Sequence, residues 1–365
     1  RKKEFFTVDH TTGEYSISNE MRDSIDAVES TLREGKVYVP TCVHCLKDEA
    51  VSVEKNELKK IRIFNTMSTG FNFVLKKYTA MLCLFMRRNW KFFESASGKN
   101  VLSLDLEGIM LYLGEVNGKL DLCEDGDFGY YDISLNTVLR LRGVRAISKI
   151  LAYSQMSEEE QDAAALILCG TIYTIRNIKN DLFLMAHGEP SGSNMTLDCN
   201  NIDNSLFFRY AFHSERERLG LPYVVFRSSV RALFMGDDNL FNKEQGLDWF
   251  NSSVVAKAAQ EVGMRYTAAD KSSKLGVPKH ISQCQFVKRT FHYSDGRWRA
   301  PLIKKSVIKM LVCATRSELS LVDHCAVIVS NAVGEIFFHG RDLFEEWVPL
   351  LVSSAQRIGA TESSL

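Results

Sequence analysis

At 365 residues, with 45% hydrophobic and 25% charged side chains, the chain has the composition of a soluble globular protein with room for two or three subdomains. Lysine plus arginine (45) equals aspartate plus glutamate (45), which excludes binding of polyanions through overall charge; any nucleic-acid site must be a local basic groove. Nine cysteines without a regular framework point to reduced thiols, and no apolar run reaches the roughly 18–20 residues that span a bilayer.

No secretory signal opens the chain, and it starts at Arg1-Lys2-Lys3-Glu4 rather than at Met, so a fragment or a product cut from a longer chain is expected. Six prolines and no repeat or low-complexity tract imply subdomains that interleave without a linker. Glu4 to Val8 reads as a strand. Met21, Ile25, Val28 and Leu32 recur at helical spacing and predict a helix over about Asn19 to Arg33, ended by Gly35 and followed by a short extended piece, Lys36 to Val39. Cys42-Val43-His44-Cys45 invites a zinc reading, but no second pair lies at zinc-finger spacing, so a strand with its thiols on one face is expected. Lys47, Lys55, Lys59, Lys60 and Arg62, mixed with Asp48, Glu49, Glu54 and Glu57, read as a solvated salt-bridged surface or as a basic finger reaching towards phosphates.

Phe73, Leu75, Tyr78, Met81, Leu82 and Phe85 give a helix over Asn72 to Trp90 an apolar face that reads as core, and Leu102 to Leu113 forms a second amphipathic stretch. Leu120 to Asp132 alternates into an acidic end, where Asp127 and Asp132 leave a strand at different angles, able to serve a metal and a sugar. A helix over about Leu135 to Tyr153 follows, and Ser157-Glu158-Glu159-Glu160 is a capping box ahead of the apolar run Ala163 to Cys169. His187 to Asn194 is a loop of small residues. On the helix after it, about Met195 to His213, Thr196, Asn200 and Asn204 form a polar stripe that continues the loop as a hydrogen-bonding wall.

Apolar strands on either side of Gly236-Asp237-Asp238 predict a tight hairpin with Gly236 free to take a positive φ. Adjacent carboxylates at such a tip repel each other and lose hydration, a conflict that a hard divalent cation resolves. Leu247 to Val262 reads as helix, Tyr266 to Lys271 as loop, Gln283 to Phe291 as strand, and the chain from about Ile303 as helices. The eight histidines show no triad or ligand pattern.

Taken in order, these stretches resemble the motif series of the picornavirus-like RNA-dependent RNA polymerases. Leu46-Lys47-Asp48-Glu49 with Lys60 and Arg62 is similar to motif F, Asp127-x4-Asp132 to motif A, and Ser191-Gly192-x3-Thr196-x3-Asn200 to motif B. Gly236-Asp237-Asp238 is similar to motif C, Asp270-Lys271 to the motif D lysine loop, and Phe286-Val287-Lys288-Arg289 to motif E. Met235 stands where that family has Tyr, Glu189 stands where it often has an apolar residue, and Val51 and Val53 replace motif F basic residues. The resemblance also implies a fingers-to-thumb N-terminal segment that is missing or cut short here.

The resemblance implies an α+β right-hand polymerase fold of fingers, a palm with an antiparallel sheet, and a helical thumb. Its expected divisions are fingers over 1–84, palm over 85–168, a fingers insertion over 169–186, palm over 187–291 and thumb over 292–365. It implies template-directed nucleotidyl transfer by two metal ions, Mg²⁺ with Mn²⁺ as a substitute, on Asp127, Asp237 and Asp238. Lys271 is the implied general acid, and Lys47, Lys60 and Arg62 would offset the triphosphate charge. Asp132, Ser191, Gly192, Thr196 and Asn200 would bind the nucleotide and read its 2′-hydroxyl, and Lys288 and Arg289 would hold the primer. Implied partners are template and primer RNA, ribonucleoside triphosphates, a protein primer and other viral replication proteins. The implied location is host cytoplasm at membrane-associated replication complexes. A reverse transcriptase-like polymerase shares the palm but bars the 2′-hydroxyl, and a non-catalytic RNA-binding replication subunit predicts eroded carboxylates.

Overall fold

The computed structural model describes residues 5–361 apart from His10, Asn180 and residues 314–316; Glu4, first of the predicted opening strand, lies outside the described residues. The rest of that stretch forms β1 (Phe6–Val8), antiparallel to β2 (Tyr15–Ile17). The Asn19–Arg33 helix starts on Ser18, whose hydroxyl accepts the Met21 amide, and it buries the four predicted positions Met21, Ile25, Val28 and Leu32.

That helix packs on the Thr69–Arg88 and Glu158–Cys169 helices, and their apolar faces share one core with Phe71, Val74, Leu75 and Ile167. The Glu158–Cys169 helix, expected in the palm from sequence, therefore shares its core with the Asn19–Arg33 and Thr69–Arg88 helices. Its Ser157–Glu160 capping box is formed as predicted. Beside this core lies a four-stranded sheet ordered β4-β3-β6-β7, from β3 (Thr41–Leu46), β4 (Ile63–Met67), β6 (Thr174–Ile178) and β7 (Asp181–Met185). β3 and β6 run parallel, so a hairpin far along the chain completes a sheet begun near the N-terminus.

Two expectations fail in this region. Cys42 and Cys45 lie on one strand, but three positions separate them, and strand alternation turns them to opposite faces, Cys42 buried and Cys45 half-buried. The Thr69–Arg88 helix buries Phe71, Val74, Leu75, Leu82 and Met86, while Phe73, Met81 and Phe85 are exposed. The helix is apolar on two sides, and periodicity alone did not say which side meets the core.

The second sheet is antiparallel and ordered β10-β5-β9-β8, from β5 (Glu124–Gly129), β8 (Val230–Met235), β9 (Asp238–Lys243) and β10 (Arg265–Thr267). Its back is an aromatic core in which Phe208 meets Phe234 edge-on at 5.0 Å and Phe241 at 5.6 Å. Phe208 comes from the Thr196–Arg218 helix, so the helix after the small-residue loop is bolted to the sheet that carries the acidic turn.

Further departures occur around this sheet. Tyr266 and Thr267 belong to β10 rather than to a loop, with Thr267 paired opposite Asp127. The helix expected from Leu247 starts only at Ser252, because Asn251 caps it by accepting the Ser253 and Val254 amides. The predicted Gln283–Phe291 strand is a small hairpin, β11 (Gln285–Phe286) against β12 (Arg289–Thr290). Val287 and Lys288 both take positive φ, 52° and 57°, as a two-residue hairpin turn of the primed type requires. Neither residue type favours that region, so the sequence carried no turn signal. The remaining helices, Lys304–Val312, Leu321–Phe337 and Arg341–Arg357, pack around Val307, Ala332 and Ile336 into a helical C-terminal bundle.

Candidate active site

The acidic site is set by strand register. Asp127 on β5 lies directly opposite Asp238 on β9, and side chains opposite each other on adjacent strands share one face. Asp237 occupies the turn that joins β8 to β9, with Gly236 at φ 70°. The turn is fixed from behind by the long helix: the Gly236 amide donates to Asn201 Oδ1 at 2.7 Å, and Asn204 Nδ2 donates to the Gly236 carbonyl at 2.7 Å. Asn201 in turn donates to Ser95 Oγ (2.8 Å) and Ser97 Oγ (2.9 Å). Of these supports only Asn204 was visible in the sequence, as part of the polar stripe. Asn201 lies one residue off that stripe, and nothing local marks it.

Burial and repulsion by Asp127 push the Asp237 carboxyl up to about 6, with Arg62 opposing the shift. Burial, Asp127 and Asp237 push Asp238 up to about 7, against Lys271 and Lys288. Lys271 Nζ is paired directly with Asp127 Oδ2 and also reaches Thr267 Oγ1 at 3.2 Å. Thus Asp127, Asp237, Asp238, Lys271, Arg62 and Lys288 act on one another across the site. Lys47 and Lys60 are exposed on the β3–β4 connection and touch none of the carboxylates; the Lys47 amide donates to the Arg62 carbonyl at 2.9 Å. Arg62 also pairs with Glu49 at 3.4 Å.

Among the described residues no three His, Cys, Asp or Glu side chains converge into a ready-made ion cage. The donor set nevertheless suits a hard divalent cation. It is all carboxylate oxygen, two members are raised by burial and by repulsion from neighbouring carboxylates, and the third is paired with a lysine ammonium.

The loop before the long helix forms the second wall. Ser191 Oγ accepts the Asn65 amide of β4 at 3.3 Å, and the Gly192 carbonyl accepts Asn72 Nδ2 at 3.0 Å. A Cβ on Gly192 would lie 2.2 Å from the Asn65 carbonyl oxygen, so only glycine lets the loop approach the fingers sheet this closely. Thr196 Oγ1 donates to the Pro190 carbonyl at 2.9 Å, closing the loop on itself. The Glu189 amide donates to the Asp132 carbonyl at 2.9 Å, tying the loop to the turn after β5. Asn200 is buried, and its Oδ1 has no protein partner. Its carbonyl is free for a ligand, but no hydrogen bond joins its side chain to Asp132.

Two residues escaped the sequence reading here. Asn72 holds both Gly192 and Asn194, the latter through two hydrogen bonds of 2.9 Å. Arg176 on β6 is buried with Nε and Nη2 unpartnered and within electrostatic reach of Asp132. Arg289 is placed differently from expectation. Its guanidinium forks onto Glu335 of the thumb at 2.7 and 2.9 Å and donates to the Ala300 carbonyl at 2.7 Å, so it joins hairpin to thumb. Lys288 beside it is exposed.

A family model described as viral RNA-dependent RNA polymerase matches residues 1–356. The chain belongs to that family. It is 27% identical over 94% of its length to the replicase polyprotein of acute bee paralysis virus (strain Rothamsted), and 24% identical over 90% to that of cricket paralysis virus. It spans only 18% and 19% of those polyproteins. The Sicinivirus 3Dpol RNA dependent RNA polymerase superimposes with a TM-score of 0.80 at 17% identity, over 98% of this chain and 70% of that one. The chain therefore has the right-hand polymerase fold. No helix among the described residues is long and apolar enough to cross a membrane.

Proposed function

We propose that this chain extends an RNA 3′-hydroxyl with ribonucleotides under the direction of an RNA template. The observation that carries the reading is the register of Asp127 against Asp238 with Asp237 at the adjoining tip, ringed by Arg62, Lys271 and Lys288. Asp127 and Asp237 are the principal metal ligands and Asp238 the lesser one. Mg²⁺, or Mn²⁺ in its place, supplies activation of the attacking hydroxyl and charge compensation for the leaving pyrophosphate when bound there.

The chain's own groups do the rest. Lys271, paired with Asp127 Oδ2, is the group that would donate its Nζ proton to the departing pyrophosphate. Arg62 meets the triphosphate with a forked guanidinium, and Lys47 and Lys60, free on the same connection, approach it as mobile point charges. Asp132 accepts the ribose 2′-hydroxyl, with Ser191, Gly192, Thr196 and Asn200 shaping the wall around it. Lys288 contacts the primer backbone; Arg289 keeps the primer-side hairpin on the thumb. Residues 1–84 and 169–186 serve as fingers together with the Glu158–Cys169 helix that shares their core, 85–157 and 187–291 as palm, and 292–365 as thumb. In the infected cell we place this activity in the host cytoplasm at membrane-associated replication complexes, with a protein primer and other viral replication proteins as partners.

Primer extension on a short self-priming RNA with Mg²⁺, comparing the wild-type chain with Asp237→Ala, tests the reading. Ribonucleotide addition that vanishes in the variant supports it. Preference for deoxyribonucleotides would instead favour a reverse transcriptase, and RNA binding with no extension by either protein would favour a non-catalytic subunit.

A further inference from the structure

A second group of charges lies wholly inside the molecule, away from Asp127, Asp237 and Asp238. Arg140 is 1% exposed, and Glu189 and Asp203 are 0% exposed. Arg140 Nη1 donates to Asp203 Oδ2 at 2.7 Å, Nη2 donates to Thr171 Oγ1 at 2.7 Å, and Nη2 also pairs with Glu189 Oε2. Two carboxylates against one guanidinium leave a unit of negative charge where water does not reach, with Arg176 the other cation in electrostatic reach of Glu189. Asp203 Oδ1 and Arg140 Nε have no hydrogen-bond partner at all.

The chain positions of these groups matter. Glu189 stands immediately before Pro190-Ser191-Gly192, Asp203 lies one helical turn past Asn200, and Arg140 sits on the helix following Asp132. One guanidinium therefore fastens both ends of the stretch that carries Ser191, Gly192, Thr196 and Asn200. Glu189 makes a second tie, through its backbone amide on the Asp132 carbonyl. The same residue thus touches both halves of the ribose-reading wall.

We propose that Glu189 is a positioning residue for ribonucleotide selection: held by Arg140, its carboxyl sets where the Ser191–Asn200 stretch stands relative to Asp132, and one proton on that carboxyl resets the position. The proposal rests on the polymerase reading above. With Glu189 ionised, Arg140 Nη1 is held by Asp203 and Nη2 by both Glu189 and Thr171. With Glu189 protonated, its hold on Nη2 weakens and Arg140 is left to Asp203 and Thr171. Burial pushes the Glu189 carboxyl up to about 7, Arg140 opposing and Asp203 adding to the shift, and burial likewise pushes Asp203 up to about 6. The other ionisable groups that bear on this cluster are Tyr131, Cys199, Arg176 and Cys42, from the turn after β5, the long helix, β6 and β3. Burial holds Tyr131 neutral and raises both thiols. That leaves Arg176 as the other cation.

The test compares the wild-type chain with Glu189→Gln, which keeps shape and an acceptor oxygen towards Arg140 but carries no charge. The first readout is the ratio of kcat/KM for a ribonucleotide to that for its deoxyribonucleotide, taken from about pH 6 to about pH 8.5. The expected result is a wild-type ratio that shifts about three- to tenfold across neutral pH, the worth of one repositioned hydrogen bond, and a Glu189→Gln ratio that stays flat. Parallel profiles in the two proteins would overturn the proposal. The second readout is thermal unfolding without RNA or nucleotide. Because the folded-state value of Glu189 lies above its unfolded one, its stabilisation is present at low pH and lost as pH rises through about 7. The melting temperature of the wild type should therefore drop relative to Glu189→Gln over that range, and a constant gap would overturn the proposal. This second readout needs no synthesis, so a failed polymerase reading shows in the ribonucleotide assay alone, while the melting curves still decide whether Glu189 titrates in the folded protein.

Discussion

The acidic turn and the small-residue loop face each other across the site, and they are built on opposite terms. Around Gly236 the backbone is fully partnered: both backbone groups of the glycine are taken by Asn201 and Asn204, and Tyr266 donates to Asn239 at 2.7 Å beside it, with Asn204 Oδ1 the one buried acceptor of these supports left without a partner. Around the loop the set of partners is incomplete. Asn200 Oδ1, Asp203 Oδ1 and two nitrogens of Arg176 are buried without partners, and a carboxylate too many shares Arg140. Satisfied buried polar groups fix one arrangement, and unsatisfied ones leave competing arrangements close in energy. On the proposed function, the first kind of wall would hold the reacting carboxylates still and the second would meet each incoming sugar.

If the contrast is right, damage to the two walls should read out differently. The largest effect belongs to Asp237→Ala, which should cut primer extension about a thousandfold or more while leaving the melting temperature unchanged or raised, since a repelling buried carboxylate is removed. Arg140→Met should be the most destabilising of the set, by about 3–5 kcal/mol in denaturant titration, because it strands Glu189 and Asp203 as unpaired buried carboxylates. Asn201→Ala should cost about 1–3 kcal/mol by leaving the Gly236 amide unpaired, and it should lower extension with ribonucleotides and deoxyribonucleotides alike. Selective loss of ribose discrimination in Asn201→Ala would erase the distinction between the walls.

A pH series with and without Mg²⁺ sharpens the same point. Asp237, Asp238, Glu189 and Asp203 all have folded-state values above their ordinary ones, so each stabilises at low pH and loses that contribution as pH rises through about 6 to 7. A bound cation should abolish the share due to Asp237 and Asp238, leaving the share of the buried Glu189–Arg140–Asp203 group. Melting curves from about pH 5 to about pH 8 should therefore flatten in part when Mg²⁺ is added, and should recover their slope with chelator.

Much of the carboxylate wall was legible because it is local. Gly236-Asp237-Asp238 announces its own turn, and the spacing of Met21, Ile25, Val28 and Leu32 or the Ser157 capping box needs no distant partner. What escaped depends on pairing across the chain. Asn201 and Asn72 gain their roles only when the long helix meets the turn after β8 and when the loop meets the Thr69–Arg88 helix. Glu189, standing before Pro190 where the resembled family often has an apolar residue, becomes a buried ion only because Arg140 arrives from a separate helix. The hairpin at Val287-Lys288 was illegible for another reason, its positive-φ residues being types that do not mark a turn.

The smallest effect comes from that hairpin, where the same contrast runs between two adjacent residues. Arg289 is committed on all sides, to Glu335 and the Ala300 carbonyl, while Lys288 is exposed with Asp238 in electrostatic reach. Arg289→Lys keeps the charge and loses the fork, so it should loosen the thumb by about 1–2 kcal/mol and leave the salt dependence of RNA binding unchanged. Lys288→Ala should do the reverse. Stability should stay within about 0.5 kcal/mol of wild type, as for an exposed surface change. RNA affinity should fall a few-fold at low salt, with the slope of log K against log salt shallower by about 0.7–0.9, the share of one phosphate contact. An unchanged slope would mean that Lys288 meets no phosphate, and that the primer is held by other cations around the palm.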